Sequence, residues 1–251
     1  MEFQDRAVLV TGATGGIGQA LAHRFAEAGA KVGVHTGSRP PKARELVKTL
    51  PGQGHAVLQA DLREASACKA LIRACQEALG SLDVLVNNAG VYQEHPPGEV
   101  SFEGWRQAWE RTLAVNLLGP AHLSFFAGRE MQQQGQGAIV NVTSRGAFRG
   151  EPTAPAYGAA KAGLNALTGS LAKAFAPEVR VAGVAPGFVA TPMVQGLLES
   201  PEGEAIKAQS PHNRVARPEE VAEAVAFLAS EKCPWATGAI LDVNGASYLR
   251  I

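Results

Sequence analysis

Arg6-Ala7-Val8-Leu9-Val10-Thr11-Gly12-Ala13-Thr14-Gly15-Gly16-Ile17-Gly18 is the stretch on which the reading of the whole chain turns. Its first half is an apolar run, its second a glycine cluster. A helical pattern follows, with Leu21, Phe25 and Ala28 on one side and Gly29 at its close. The order is strand, glycine-rich turn, helix. Glycines let a backbone approach a pyrophosphate, and a helix N-terminus offers free N–H groups and a favourable dipole. The spacing of Gly12, Gly16 and Gly18 departs from Gly-x-Gly-x-x-Gly and fits Thr-Gly-x-x-x-Gly-x-Gly. Gly12, Thr14, Gly15, Gly16, Ile17 and Gly18 are thus expected to wrap a phosphate-bearing ligand.

Outward from this turn, strand-like and helical runs alternate to the end. Strands are expected at 7–11, 31–35, 55–60, 82–87, 138–143, 179–184 and 239–243. Amphipathic helical stretches are expected near 16–28, 41–50, 64–79, 102–134, 155–175 and 218–229. Such alternation predicts an α/β fold, a doubly wound parallel sheet of about seven strands with helices on both faces. A chain of 251 residues, without linker or repeat, reads as one domain over 1–251. Gln132-Gln133-Gln134-Gly135-Gln136-Gly137 reads as a solvated turn. Ligands of open α/β sheets sit outside the carboxyl ends of the strands, and Gly12, Asp61, Asn88, Ser144 and Pro186 all fall there.

Tyr157 and Lys161 are four apart, one helical turn on one face, and Ser144 precedes the tyrosine by thirteen. An ammonium beside a phenol favours phenolate and lowers a pKa that is ordinarily about 10. A phenol that exchanges protons near neutrality suits carbonyl chemistry.

Bulk composition narrows the partners. Lys plus Arg equals Asp plus Glu at 23 each, so neither nucleic acid nor an anionic membrane is an expected partner. The early strand and the lack of a long apolar run imply a cytoplasmic location without signal or span. Cys68 and Cys75, seven apart on a helix, would lie ~10.5 Å apart, beyond the ~7 Å Cα limit of a disulfide. With Cys233 they read as packing residues. The six histidines lack ligand spacing, so no metal site is expected.

From about Gln4 onward the chain resembles the short-chain dehydrogenase/reductase family, single-domain type. The resemblance rests on the glycine turn, the Tyr157–Lys161 pair and further ordered segments. These are Asp61-Leu62, Asn87-Asn88-Ala89-Gly90, Asn116, Pro186-Gly187 with Thr191, and Val243-Asn244-Gly245. Its wording is similar to β-ketoacyl carrier-protein reductases and to sugar or alcohol dehydrogenases. The resemblance implies a Rossmann-type three-layer α/β/α fold. It also implies a catalytic set: Tyr157 as general acid or base, Lys161 tuning it and binding the nicotinamide ribose, Ser144 holding the substrate oxygen, and Asn116 holding a relay water. Asn87 is implied as support; Asn88, Ala89 and Gly90 as cofactor wall; Asp61, beside Leu62, as acceptor from adenine or as a helix N-cap. Pro186, Gly187, Val189 and Thr191 are implied against the nicotinamide.

At the end of the second strand, where an acid would select NAD, stand Thr36, Gly37, Ser38 and Arg39. Hydroxyls and a guanidinium suit a 2′-phosphate, so Thr36, Ser38 and Arg39 predict NADP(H), with NAD(H) as the other possibility. Many NADP-preferring relatives carry a basic residue in the first turn, where this chain has Thr14-Gly15. Substrate contacts are expected from 91–100, 145–153 and 193–212, a mixed polar rim including Tyr92, Glu94, His95, Arg145, Arg149 and Glu151.

The expected reaction interconverts a free ketone and a secondary alcohol. A β-ketoacyl carrier-protein reductase is the first alternative, disfavoured by the glutamines after Met131 and by Glu178, where an acidic carrier would need basic residues. A non-catalytic dinucleotide-binding regulator is the second. Resemblance further implies a homotetramer, or a homodimer, with the tail 247–251 reaching a neighbour.

Overall fold

The structure is a computed structural model and describes residues 2–192 and 194–250. Seven strands form one parallel sheet in the order β3-β2-β1-β4-β5-β6-β7. They are β1 (Ala7–Val10), β2 (Lys31–Thr36), β3 (Ala56–Gln59), β4 (Val84–Asn87), β5 (Gly137–Val142), β6 (Val179–Pro186) and β7 (Ile240–Val243). Each begins and ends within two residues of its expected bounds. The reversal of strand order lies between β1 and β4, which pair Val8 with Val84 and Val10 with Val86.

Strand alternation builds two cores. Val8, Val10, Val84, Val86 and Val140 face one side, where Leu21 and Phe25 of α1 (Gly16–Glu27) meet Val221 and Val225. Helix α2 (Pro40–Thr49) contributes Ala43 and Leu46 to that side. Leu9, Leu85 and Ile139 face the other side, against Cys68, Leu71 and Cys75 of α3 (Ala65–Leu79). The residues alternate because successive strand side chains point to opposite faces. Both cysteines are free and buried, and burial pushes their thiols up, Cys68 to about 11 and Cys75 to about 12.

The expected helix over 102–134 is interrupted. Helix α4 (Phe102–Leu113), capped by the Ser101 hydroxyl, runs into a π-helical turn at Ala114–Leu118 and then into α5 (Gly119–Gln134). Pro120 supplies the reason: lacking an N–H, it cannot donate to the carbonyl four residues back, that of Asn116. Gln132, Gln133 and Gln134 form the last turn of α5 rather than a loop, and the chain reverses at Gly135.

After β5 come a one-turn helix, α6 (Gly146–Arg149), and the long α7 (Pro155–Ala174). Two short helices, α8 (Gln195–Leu198) and α9 (Gly203–Ala208), follow β6 and fall outside the sequence expectation. Helix α10 (Pro218–Ala229) returns to the first core. The tail folds onto its own chain: the Tyr248 hydroxyl donates to the Phe148 carbonyl, and Arg250 pairs with Asp242 while lying over the Phe148 ring. Ile251 lies outside the described residues. No helix among them is long and apolar enough to cross a membrane.

Candidate active site

The glycine turn is held from three directions. Gly12 sits at φ 62°, and a Cβ there would stand 2.8 Å from Ala89 Cα, so only glycine fits both the backbone and the space. Its N–H donates to His35 Nδ1 at 3.1 Å. The opposite ring nitrogen then carries the proton and donates to the Ala60 carbonyl at 3.1 Å. The Thr11 hydroxyl accepts from the N–H groups of Asn88 and Ala89, while the Asn88 amide donates to the Thr11 carbonyl. Asn88 is thereby a brace between β1 and β4.

Helix α1 starts at Gly15 with no side-chain cap and no acid in its first turn. Its first amides therefore lack side-chain partners, as an anion site requires. Thr191 and Pro192 close over this turn: a Cβ on Gly16 would meet Thr191 Cγ2 at 2.6 Å. Thr14 is buried there and Ile17 packs on the core. Positive-φ glycine, close packing and uncapped amides together fit a pyrophosphate.

At the end of β2, Thr36 is buried and its hydroxyl accepts from the Arg39 N–H at 3.1 Å. Ser38 and Arg39 are exposed, and the first turn of α2 holds no acid. Asp61 does not cap α3, whose N-cap residue is Glu64. Its carboxylate instead pairs with Arg63 at 2.6 Å and accepts the Arg63 N–H, and these bonds hold it below the usual carboxylate range. Leu62 is buried in the second core.

Tyr157 and Lys161 lie one turn apart on α7, with Lys161 Nζ 5.8 Å from the phenol ring centroid. Lys161 is 4% exposed and donates to the Val142 carbonyl at 2.8 Å. Asn116, fully buried in the π turn, brackets Val91: its Oδ1 accepts the Val91 N–H and its Nδ2 donates to the Val91 carbonyl, each at 2.8 Å. Gly90 fits between these groups, since a Cβ there would lie 3.4 Å from Asn116 Oδ1 and 3.7 Å from Lys161 Nζ. Ser144 follows β5, accepts the Gly146 N–H at 3.0 Å, and its hydroxyl acts on the Tyr157 phenol. Asn116, Ser144, Tyr157 and Lys161 thus converge from three elements.

The electrostatics correct one expectation. Burial pushes the Tyr157 phenol up to about 12; the Ser144 hydroxyl opposes this, and the charges of Glu151 and Tyr92 reinforce it. Burial lowers Lys161 to about 8. Lys161 does not count among the groups that shift the phenol; burial disfavours its own ammonium, which donates to the Val142 carbonyl. The protonated phenol is the stable form near neutrality.

Around Tyr157, the Tyr92 ring stands edge-on at 5.2 Å with its hydroxyl 3.2 Å from that of Thr153, and Glu151 pairs with Arg149 at 3.5 Å. His95 and Arg145, expected on this rim, are both buried. His95 donates from Nδ1 to the Gln93 carbonyl and accepts at Nε2 the Ala156 N–H, fixing the start of α7. Arg145 points away, onto the Phe188 ring at 4.9 Å. Of the loop residues after β6, Val189 is buried in the first core and bridged to Ala216. Pro186 ends β6, and Gly187 donates its N–H to the Val243 carbonyl. Met193 lies outside the described residues.

Sequence reasoning missed His35 and, beyond the supporting role expected of Asn87, the rest of the amide ladder beneath the site. Asn87 donates to Asn141 and Ser124, and Asn141 donates to Thr168 on α7, all buried. The available signal was polar residues inside apolar strands: His35 in 31–36 and Asn141 in 137–142.

Residues 12–246 match the family model described as enoyl-(acyl carrier protein) reductase. The chain is 40% identical over 97% of its length to cis-4-hydroxycyclohexanecarboxylate dehydrogenase of Sinomonas cyclohexanicum, covering 96% of that protein. The chain is a short-chain dehydrogenase/reductase. As a member of that family it is an oxidoreductase of CH–OH groups that uses a nicotinamide dinucleotide. It is also 35% identical to 3-oxoacyl-(acyl-carrier-protein) reductase of Staphylococcus aureus, over 97% of this chain and 98% of that one. A solved family member from Brucella melitensis, described as a glucose/ribitol dehydrogenase, superposes with a TM-score of 0.91 at 32% identity, over 99% of both chains.

Proposed function

We propose that this short-chain dehydrogenase/reductase interconverts a free ketone and a secondary alcohol with NADP(H), one domain carrying both the dinucleotide and the substrate loops. The convergence of Ser144, Tyr157, Lys161 and Asn116 beside an uncapped helix start carries the reading. When bound, the dinucleotide supplies the hydride. The protonated Tyr157 phenol gives its proton to the carbonyl oxygen in reduction, and Ser144 offers that oxygen a hydrogen bond as charge develops. Lys161, one turn along from Tyr157 with its Nζ 5.8 Å from the centroid of the phenol ring, would hold the ribose. Asn116, with a main-chain carbonyl that Pro120 cannot reach, suits a relay water.

Preference for NADP(H) is supported by Thr36, Ser38 and exposed Arg39 beside a helix start without acid. Asp61 would meet adenine while paired with Arg63. A free substrate, rather than a carrier-bound one, is supported by Gln132, Gln133 and Glu178 on the face where Arg129 is the lone cation of the surface hollow they line. Homotetramer assembly is supported by exposed large apolar residues, among them Leu118, Phe125, Phe227 and Trp235. The test compares kcat/KM for NADPH and NADH on a panel of free ketones and on acetoacetyl carrier protein. Higher values with NADPH and free ketones are expected. Equal or better use of NADH defeats the cofactor assignment, and much faster turnover of the carrier thioester defeats the substrate assignment.

A further inference from the structure

Ser144 and Arg145 are consecutive, yet their side chains enter different compartments. Ser144 faces Tyr157; Arg145 lines a cavity of about 200 Å³ between the ends of β6 and β7 and the start of α10, to which neither Ser144, Tyr157 nor Lys161 contributes. Ser210, His212, Asp242 and Ser247 share its wall, and exposed His212 and Arg214 stand at its mouth.

The charges there do not balance. Arg214 is paired with Glu220 at 2.7 Å, and Asp242 with Arg250 at 2.7 Å. Arg145, 3% exposed, is left among the described residues with a neutral partner, the Gln209 amide oxygen at 2.6 Å. Glu151, the acid that acts on it, is itself paired with Arg149. A buried guanidinium without a counter-ion is unfavourable, and a fork with donors to spare is made for a carboxylate. The Ser247 hydroxyl and Asp242 Oδ1, both buried, also lack partners among the described residues.

We propose that this cavity binds the carboxylate of a small organic acid, with Arg145 as its counter-ion and Ser247 as a second donor. The surplus is one positive charge, and Asp242 Oδ1 repels further negative charge, so a monoanion is favoured over a phosphate dianion. The space accepts a short acid rather than a drug-sized molecule, whose sites begin at ~300 Å³. The carboxylate belongs either to the ketone or alcohol of the proposed reaction or to a separate effector.

Butyrate, its neutral isostere butyramide and inorganic phosphate are the probes, read by calorimetry and melting. Butyrate at about ten times its Kd is expected to raise Tm by ~3–6 °C, with butyramide and phosphate nearly silent. Arg145→Met removes the response. Gln209→Glu, a near-isosteric change, places an internal carboxylate on Arg145 and weakens butyrate ~tenfold or more while preserving the fold. Equal response to butyramide, persistence of butyrate binding in Gln209→Glu, or no binding at ~20 mM overturns the proposal. Binding needs no turnover, so its failure is distinct from failure of the ketone–alcohol reading on which the source of the acid rests. Where binding holds, competition by butyrate against a keto acid, with Arg145→Met raising KM for that acid but not for a neutral ketone, identifies the substrate's own carboxylate. A non-competitive effect identifies an effector.

Discussion

The rim of the sheet has two halves made by different means. On the β1–β3 side the main chain does the holding: Gly12 pressed on Ala89, uncapped amides at the start of α1, and side chains such as Thr11 and His35 turned inward to fix that backbone. On the β5–β6 side the backbone recedes and side chains do the work, with Ser144, Tyr157, Lys161 and Asn116 converging from three elements. Main-chain sites are damaged by atoms that are added, side-chain sites by atoms that are removed. The two halves should therefore fail in opposite ways.

The largest effect is expected from deleting one oxygen on the side-chain half. Tyr157→Phe keeps the ring, its packing against Tyr92 and the helix, and removes the proton donor. The turnover rate for carbonyl reduction should fall by about 10²–10⁴-fold, the range of general acid catalysis. Dinucleotide affinity, followed by fluorescence titration, should hold. A Phe variant with near-normal turnover would mean that the proton comes from elsewhere and that the two halves do not divide as described.

Adding atoms to the main-chain half comes next. Gly12→Val must hold a branched side chain at φ 62° with its Cβ 2.8 Å from Ala89 Cα. Left-handed backbone costs ~1–2 kcal/mol and overpacking ~1–3, so about 2–5 kcal/mol of stability should go. A lower Tm with loss of dinucleotide binding checks this. An unchanged melt would show that the turn relaxes freely.

That division also governs what the sequence reveals. Glycine spacing at 12, 16 and 18 is a local motif, and strand alternation such as Val8 and Val10 against Ala7 and Leu9 is equally plain, so the strands of the parallel sheet and the glycine turn were legible. Residue types at Ser144, Tyr157 and Lys161 were legible as a set, but not their electrostatics, because burial around Tyr157 depends on packing by residues far apart in sequence. His95 and Arg145 were misplaced on the rim for a similar reason: polarity suggests a surface, while bonds to Ala156 and Gln209 turn both inward. The π turn at Asn116 had its local sign in Pro120, which a helix-length pattern overrides.

The last test sharpens the comparison by asking what holds the main-chain half in place. His35 is buried, and burial lowers its pKa from the ordinary 6.5 to about 4, a hydrogen bond to the Ala60 carbonyl opposing. Its neutral ring accepts the Gly12 N–H, which a protonated ring cannot do. Between these two values the unfolded chain binds the proton and the folded one does not, so this residue makes stability rise with pH. Its contribution is full above about 6.5 and is lost as pH falls toward 4. At ~1.4 kcal/mol per pH unit, that interval is worth about 3 kcal/mol. His35→Asn keeps an acceptor near Gly12 without the titration. Denaturant melts from pH 7 to 4 should therefore show a shallower loss in the variant, converging on wild type at the acid end. Parallel curves would show that another group carries the acid sensitivity, and that the glycine turn keeps its shape without the imidazole.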